Sequence, residues 1–244
     1  MDDAVPHRTL YREVAARLTE MVTTAGFDLG VPVRGCPGWS ASDVLGHLVG
    51  ITQDWVSGRL DHYGSRDWTS HQVRRHSGDD QAELFEAWST ALDQLDNAAP
   101  HPVMGFAWRW LFGDALTHEA DLYETLDPQR RPPPAAVAAG LAGSIGRWRD
   151  HLSEAAAPPL EIVVHGVRSW WVGRPADDHV TLCADAYDAY DVWRFLCGRT
   201  SRERVEELAW SHDPGCYLDL GLAFPFQFPV GTSSLSRATE WRHS

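Results

Sequence analysis

Five stretches in the first 155 residues repeat apolar side chains every three or four positions, the spacing of one face of an amphipathic helix. The stripes are Leu10, Val14, Leu18 and Met21; Val44, Leu48, Ile51 and Trp55; Leu84, Trp88, Leu92 and Leu95; Trp108, Leu111, Ala115, His118 and Leu122; and Val137, Leu141, Ile145, Trp148 and Leu152. Ser40 and Asp43 form an acidic variant of the capping box, which predicts that the second helix begins near Ala41. The segment 61–78 has no stripe and is predicted to be a long loop.

The pattern changes after Pro158 and Pro159 to short apolar runs that are typical of strands. Strands are predicted over 160–165, 167–172, 179–184 and 207–211, with a tight turn at Gly166 between the first two; helices are predicted over 186–196, from Ser201, and over 215–223. The fold class is therefore a two-part α+β chain, with a helical bundle over 1–157 and a small α+β domain over 158–230. The Ser/Thr-rich tail, 231–244, is expected to be mobile.

Charge and cysteine usage narrow the function classes. The 244 residues carry 21 basic side chains, all Arg, and 34 acidic ones, for a net charge of −13, without a basic run. Neither nucleic acid nor an anionic membrane surface is an expected partner, because both require a positive patch. The N-terminus lacks the apolar region of a secretory signal, no stretch is apolar enough to span a bilayer, and the four cysteines match no disulfide scaffold. These features predict a cytoplasmic protein.

Two predicted helices carry a histidine where an apolar residue would be expected. His47 lies near the inward face of the second stripe, and His118 lies on the fourth, with Asp114 four residues before it and Asp121 three after. Two histidines and a carboxylate from two facing helices are a known way to build a metal site inside a bundle, and three ligands leave coordination positions open. The alternative is that each histidine is a hydrogen-bonded core residue, and spacing alone leaves both interpretations open.

Two sequence blocks resemble a known family. The run Cys36-Pro-Gly-Trp-Ser40, followed by Asp43-Val-Leu-Gly-His-Leu-Val-Gly50, resembles the signature of the N-terminal domain of the mycothiol-dependent maleylpyruvate isomerase family. This resemblance implies that the helical part is a DinB-like, metal-binding, up-down four-helix bundle. The run Asp114-Ala-Leu-Thr-His-Glu-Ala-Asp121 resembles the second block of that family. In the second part, Trp171, 180–185 and 196–199 resemble the family's sterol-carrier-like C-terminal domain.

The resemblance implies a ligand set and a cosubstrate. The implied metal ligands are His47, Asp114 and His118, usually to Zn²⁺, although Fe²⁺ and Ni²⁺ are compatible with these ligand types. Asp114 departs from the Glu that is usual in the family, which shortens the ligand. Asp121 matches the family's following Asp and is a candidate for holding a ligand histidine in one tautomer, with a packing or surface role as the alternative. The implied cosubstrate is mycothiol.

These implications lead to one main hypothesis about function. The chain is expected to be a metal-dependent isomerase or thiol transferase, in which a metal-activated small thiol adds to, or is transferred onto, a small electrophilic metabolite. The alternatives are a thiol-independent metal-dependent lyase, hydrolase or cyclase of a biosynthetic pathway, and a non-catalytic binding or regulatory protein. The expected partners are a small-molecule substrate and a small thiol, with the chain as a monomer or homodimer. The family's C-terminal catalytic Arg is not assigned to a position, because the tail has no clear match and Arg199, which matches a Gly-Arg motif, is favoured for a structural role. Cys36 is not favoured as a nucleophile.

Overall fold

The computed structural model describes residues 4–100, 105, 107–154, 157–185 and 188–221. Contacts divide the chain into two compact units, Met1–Arg131 and Pro132–Ser244. The sequence placed this division at residue 157, whereas the contacts group the intervening helix α6 (Pro134–Glu154) with the second unit, because it packs against a helix and a strand of that unit. The predicted tail, 231–244, lies outside the described residues.

Within the described residues, the first unit contains five helices: α1 (Ala4–Ala25), α2 (Ala41–Ser57), α3 (Arg66–Arg75), α4 (Gln81–Leu95) and α5 (Ala107–Leu126). Helix α1 packs against α5 and α2 packs against α4, while contacts of α2 with α5 and of α1 with α4 close a four-helix bundle. The predicted stripes form its core, and Leu18, Val44, Leu84 and Leu111 are fully or almost fully buried. The sequence therefore predicted the bundle correctly.

The predicted capping box is present at the start of α2. The Ser40 hydroxyl accepts a hydrogen bond from the Asp43 backbone N–H, and the Asp43 carboxylate accepts one from the Ser40 backbone N–H. Both interactions satisfy backbone donors that the first helical turn leaves without intrahelical partners. The helix begins at Ala41, as the sequence indicated, and this register determines which α2 side chains face the bundle.

The prediction of a loop over 61–78 is wrong, because helix α3 lies within it. Its side chains are mostly polar, and Gln72 is the one residue of the helix that is fully buried. Ser65 caps its N-terminus by accepting from the Trp68 N–H, and Arg74 and Arg75 lie in its last turn, where positive charge stabilises the helix dipole. A helix with so little apolar surface has no stripe, which is why its periodicity went undetected.

Helix α3 packs directly against two glycines of α2. A Cβ atom added to Gly50 would lie 2.6 Å from Gln72 Cβ and 3.0 Å from Gln72 Cα, and one added to Gly46 would lie 3.0 Å from His76 Cβ. Since the two glycines are four residues apart, they lie on one face of α2. Together they allow the two helix backbones to approach more closely than side chains would permit.

A buried ion pair joins α1 to α5. Arg17 donates to both carboxylate oxygens of Glu119, at 2.6 and 2.8 Å, and the Tyr123 hydroxyl donates to Glu119 Oε1 at 2.8 Å. Glu119 is fully buried. Burial and the neighbouring Glu119 charge both raise the pKa of Tyr123, so its hydroxyl stays protonated and able to donate. The buried carboxylate is thus satisfied by one charged and one neutral donor.

The second unit contains a four-stranded sheet in the order β2-β1-β3-β4. Its strands are β1 (Leu160–Val164), β2 (Arg168–Val172), β3 (Val180–Ala184) and β4 (Ala209–Trp210); β1 pairs antiparallel with β2 and parallel with β3, and β3 pairs antiparallel with β4. The remaining helices are α7 (Ala189–Leu196), α8 (Arg202–Glu206) and α9 (Gly215–Gly221). This arrangement confirms the predicted α+β class.

Alternate residues of β1 and β3 are buried, and α6 packs against β2 and α7. The Trp148 indole N–H donates to the Leu196 carbonyl at 2.9 Å, which ties α6 to the end of α7. The predicted turn at Gly166 is also present, with a positive φ of 76°. None of the described helices is long and apolar enough to cross a membrane.

The glycine contacts between α2 and α3 lead to a stability prediction. The Gly50→Ala substitution is expected to destabilise the first unit by about 1–3 kcal/mol, because the added methyl group collides with the Gln72 backbone region. The measurement is the shift of the denaturant midpoint in urea unfolding.

Gly113→Ala in α5 is the matched control, since nothing lies within 4 Å of the added Cβ. There the better helix propensity of Ala should leave stability unchanged or raise it by up to about 1 kcal/mol. Equal effects of the two substitutions would contradict the close packing described for α3.

Candidate metal centre

Helices α2 and α5 bring together the three residues that the sequence singled out as ligands. His47 Nε2 lies 3.1 Å from Asp114 Oδ2, and His118 Nε2 lies 3.8 Å from Asp114 Oδ1. One ligating atom from each of the three residues lies within 4.8 Å of the other two. The imidazole rings meet edge to face, with centroids 5.1 Å apart and an interplanar angle of 80°. Helical periodicity explains the α5 half of the site, because Asp114 and His118 are one turn apart.

The spacing of these atoms fits a divalent metal ion. Ligand distances of about 2.0–2.2 Å around tetrahedral zinc place neighbouring ligand atoms about 3.3–3.6 Å apart. The two measured separations, 3.1 Å to Asp114 Oδ2 and 3.8 Å to Asp114 Oδ1, lie on either side of that range and end on different oxygens of the carboxylate. Two imidazole nitrogens and one carboxylate oxygen are donors that zinc accepts, and a three-residue set leaves one tetrahedral position for another ligand.

The three side chains differ in their access to solvent. His47 and His118 are 3% and 4% exposed, whereas the Asp114 side chain is 22% exposed. Trp39 lies beside both imidazoles, with its ring centroid 5.3 Å from that of His47 and 6.2 Å from that of His118. The site is therefore covered by aromatic surface on the Trp39 side and is reached by solvent at the Asp114 carboxylate.

Each histidine also makes a hydrogen bond through its other ring nitrogen. His47 Nδ1 lies 2.8 Å from Gln72 Oε1, and His118 Nδ1 lies 3.1 Å from Asp121 Oδ2. An amide oxygen and a carboxylate oxygen only accept, so both Nδ1 atoms donate. In the neutral ring this leaves the Nε2 lone pair directed at Asp114. Two lone pairs facing each other at 3.1 Å repel unless a proton or a metal cation lies between them.

The segment that precedes α2 surrounds the second hydrogen bond. Cys36 Sγ lies 3.4 Å from both Asp121 Oδ2 and His118 Nδ1, and a Cβ atom on Gly35 would collide with the Asp121 carboxylate. Backbone bonds from Val33 N to Trp39 O and from Cys36 N to Val33 O hold this turn in place. Cys36, His118 and Asp121 form a second group with metal-ligand chemistry. The contacts within this group are hydrogen bonds in which the Cys36 S–H and the His118 Nδ1–H donate to the Asp121 carboxylate.

The sequence named His47, Asp114, His118 and Asp121, and the structure places all four in this cluster. The sequence missed Gln72, because it lies in the stretch that was interpreted as a loop. The signal that could have indicated it is the pair of glycines flanking His47 on α2, since small residues one turn apart mark the close approach of another element.

Comparisons with known proteins agree with the fold. Residues 11–125 match the family model described as the mycothiol maleylpyruvate isomerase N-terminal domain. The matched residues lie within the first unit, so it is this unit that is similar to that family's N-terminal domain. No curated protein matches the sequence.

Two solved structures share the fold of this chain. One is a crystal structure of the mycothiol-dependent maleylpyruvate isomerase, with a TM-score of 0.56 and 15% identity over 86% of this chain and 93% of the other. The second is a histidine-to-alanine mutant of such an isomerase, with a TM-score of 0.55 and 14% identity over the same shares. At this identity the likeness establishes the fold, and the chemistry must be argued from the residues of this chain.

The burial of Cys36 leads to a labelling prediction. Cys36 is 7% exposed and contacts Asp121 and His118, whereas Cys216 is exposed. An aromatic disulfide reagent is expected to label Cys216 rapidly in the native protein and Cys36 after unfolding, as followed by mass spectrometry of the peptides. Rapid native labelling of Cys36 would contradict its role as a buried hydrogen-bond donor and would revive it as a candidate nucleophile.

Proposed function

We propose that the chain is a metal-dependent enzyme that uses a small thiol, mycothiol, for addition, isomerisation or thiol transfer on a small electrophilic metabolite. The observation that carries the proposal is the convergence of both histidine Nε2 atoms on Asp114 inside a bundle that matches this family's N-terminal domain model. His47, Asp114 and His118 are the proposed ligands, and Zn²⁺ is the proposed ion. Asp121 is the proposed partner that holds His118 in one tautomer.

The protein side chains would each supply a distinct part of the chemistry. A divalent cation held by His47, Asp114 and His118 would lower the pKa of a coordinated thiol and so supply a nucleophilic thiolate near neutral pH. The two Nδ1 hydrogen bonds keep both Nε2 lone pairs directed inward. Trp39 excludes water from its side of the two imidazoles, and the partly exposed Asp114 side leaves an approach for thiol and substrate.

The shorter Asp114 carboxylate is compatible with this role. The family usually has Glu here, yet Asp114 Oδ2 already lies 3.1 Å from His47 Nε2. The side chain therefore spans the gap between the helices without an extra methylene.

A cytoplasmic location is also part of the proposal, and it is supported by the absence of a disulfide among the four cysteines, all of which lie in the described residues.

Metal analysis tests the ligand set. Purified protein is expected to carry about one divalent ion per chain, measured by elemental mass spectrometry, and the His47→Ala/His118→Ala double variant is expected to lose it because only one ligand remains.

His76→Ala is the matched control, because His76 is equally buried but bonds to Asp79 and Gln53 instead of the site. It should retain the metal. A wild-type protein without stoichiometric divalent metal after zinc supplementation, or a double variant that retains it, would refute the proposed ligands.

Thiol dependence tests the reaction class. The metal-loaded protein is expected to isomerise or thiolate a small substrate with an activated double bond, such as maleylpyruvate, only when mycothiol is added, because the thiolate is the attacking group. Product formation is followed by chromatography. Turnover without added thiol would instead support the lyase, hydrolase or cyclase alternative.

A further inference from the structure

Gln72 occupies a central position between two α2 side chains. It is fully buried, its Oε1 lies 2.8 Å from His47 Nδ1, and its Nε2 lies 2.8 Å from Asp54 Oδ2. Asp54 is itself 2% exposed. The side-chain amide thus links a proposed ligand to a buried carboxylate that lies two helical turns further along α2.

The carboxylate determines which way the amide faces. Arg75 donates to Asp54 Oδ1 at 2.7 Å and Arg59 donates to it at 3.2 Å, so Asp54 is an ion-paired carboxylate that can only accept. The Gln72 atom that faces Asp54 is therefore the NH₂ group. Its carbonyl oxygen must then face His47, where it can only accept the Nδ1 proton.

The Gln72 carbonyl oxygen competes with Asp114 for the single ring proton of neutral His47. Asp114 lies 3.1 Å from His47 Nε2, and a carboxylate is a stronger acceptor than an amide oxygen. Without a partner at Nδ1, the single proton of the neutral ring would move to Nε2 and bond to Asp114. A protonated Nε2 has no lone pair for a metal. In that state Asp114 would prevent His47, its proposed co-ligand, from binding the ion.

The packing of α3 keeps the amide in place. A Cβ atom on Gly50 would lie 2.6 Å from Gln72 Cβ and 2.9 Å from Gln72 Cγ, so the α2 backbone confines the first part of the Gln72 side chain. Gly50 lies one turn after Gly46, and His47 lies between the two. The absence of side chains at Gly46 and Gly50 thus allows Gln72 to lie beside His47.

We propose that Gln72, oriented by Asp54, is the positioning residue that holds the proton of His47 on Nδ1 and so directs the Nε2 lone pair into the metal centre. This inference rests on the proposed function for its purpose, but the position of the proton is measurable without metal. His118 receives the equivalent support from a carboxylate, Asp121, so the two imidazoles are held by acceptors of different charge.

The test compares Gln72→Met with the wild type in metal-free, full-length protein. At mildly alkaline pH, long-range ¹H–¹⁵N correlation spectra report which ring nitrogen carries the proton, and loss of one set of signals in His47→Gln assigns them. The wild type is expected to show a protonated Nδ1 on His47. Gln72→Met should move the proton to Nε2 and lower the Zn²⁺ affinity about 10- to 100-fold, measured by chelator competition.

Two further variants separate positioning from folding. In Asp54→Asn/Gln72→Glu the donor and acceptor exchange places at equal net charge, so the introduced carboxylate accepts from both neighbours and should restore the Nδ1 proton and most of the Zn²⁺ affinity. Gln53→Met is the matched control, because Gln53 accepts from Arg75 and His76 at the same helix interface. It should leave the His47 proton and the affinity unchanged.

The outcomes for this inference and for the proposed function are distinguishable. A wild-type His47 with its neutral-ring proton on Nε2, or a Gln72→Met variant that keeps the proton on Nδ1, overturns the positioning role whatever metal is bound. A proton that moves as expected in a protein that binds no zinc would uphold the positioning role and refute the metal centre instead.

Discussion

The structure of the first unit depends on one constraint: two imidazoles are buried inside an apolar bundle with their Nε2 atoms turned towards the same carboxylate. A buried imidazole has two polar nitrogens, and each must have a partner because burial without one is costly. The structure meets this requirement by placing a separate acceptor outside each ring, Gln72 for His47 and Asp121 for His118. The interior side of both rings is then available to the proposed ion.

Residues without side chains make these outer contacts possible. Gly35 lies against the Asp121 carboxylate, Gly50 lies against Gln72 of α3, and Gly46 lies against His76, the residue that follows α3. Each glycine stands where a Cβ would separate the backbone from a polar side chain of the network. In this unit the small residues therefore determine how closely the supporting groups can approach the histidines, which in turn determines whether the hydrogen bonds can form.

Helix α5 contributes both to the proposed metal centre and to the stability of the bundle. Its Asp114, His118 and Asp121 recur at intervals of four and three residues and so share one face, whereas Glu119 points to α1 and pairs with Arg17. The buried ion pair holds α5 against α1, and burial keeps the Tyr123 hydroxyl protonated as its second donor. The same helix thus carries the residues of the proposed centre on one face and the Glu119 carboxylate, satisfied by Arg17 and Tyr123, on another.

The sequence by itself determined whatever depends on helical periodicity and local capping. The stripes predicted the bundle, Ser40 and Asp43 predicted the start of α2, and the four-residue interval predicted that Asp114 and His118 share a face. The contact between His47 and Asp114 was an expectation that required two helices to meet at one level, which no local pattern encodes. Helix α3 and the Asp54–Gln72–His47 chain were decided only by the tertiary structure. Gln72 is a polar residue in a polar helix, and it becomes part of the centre only because two glycines on another helix let it approach.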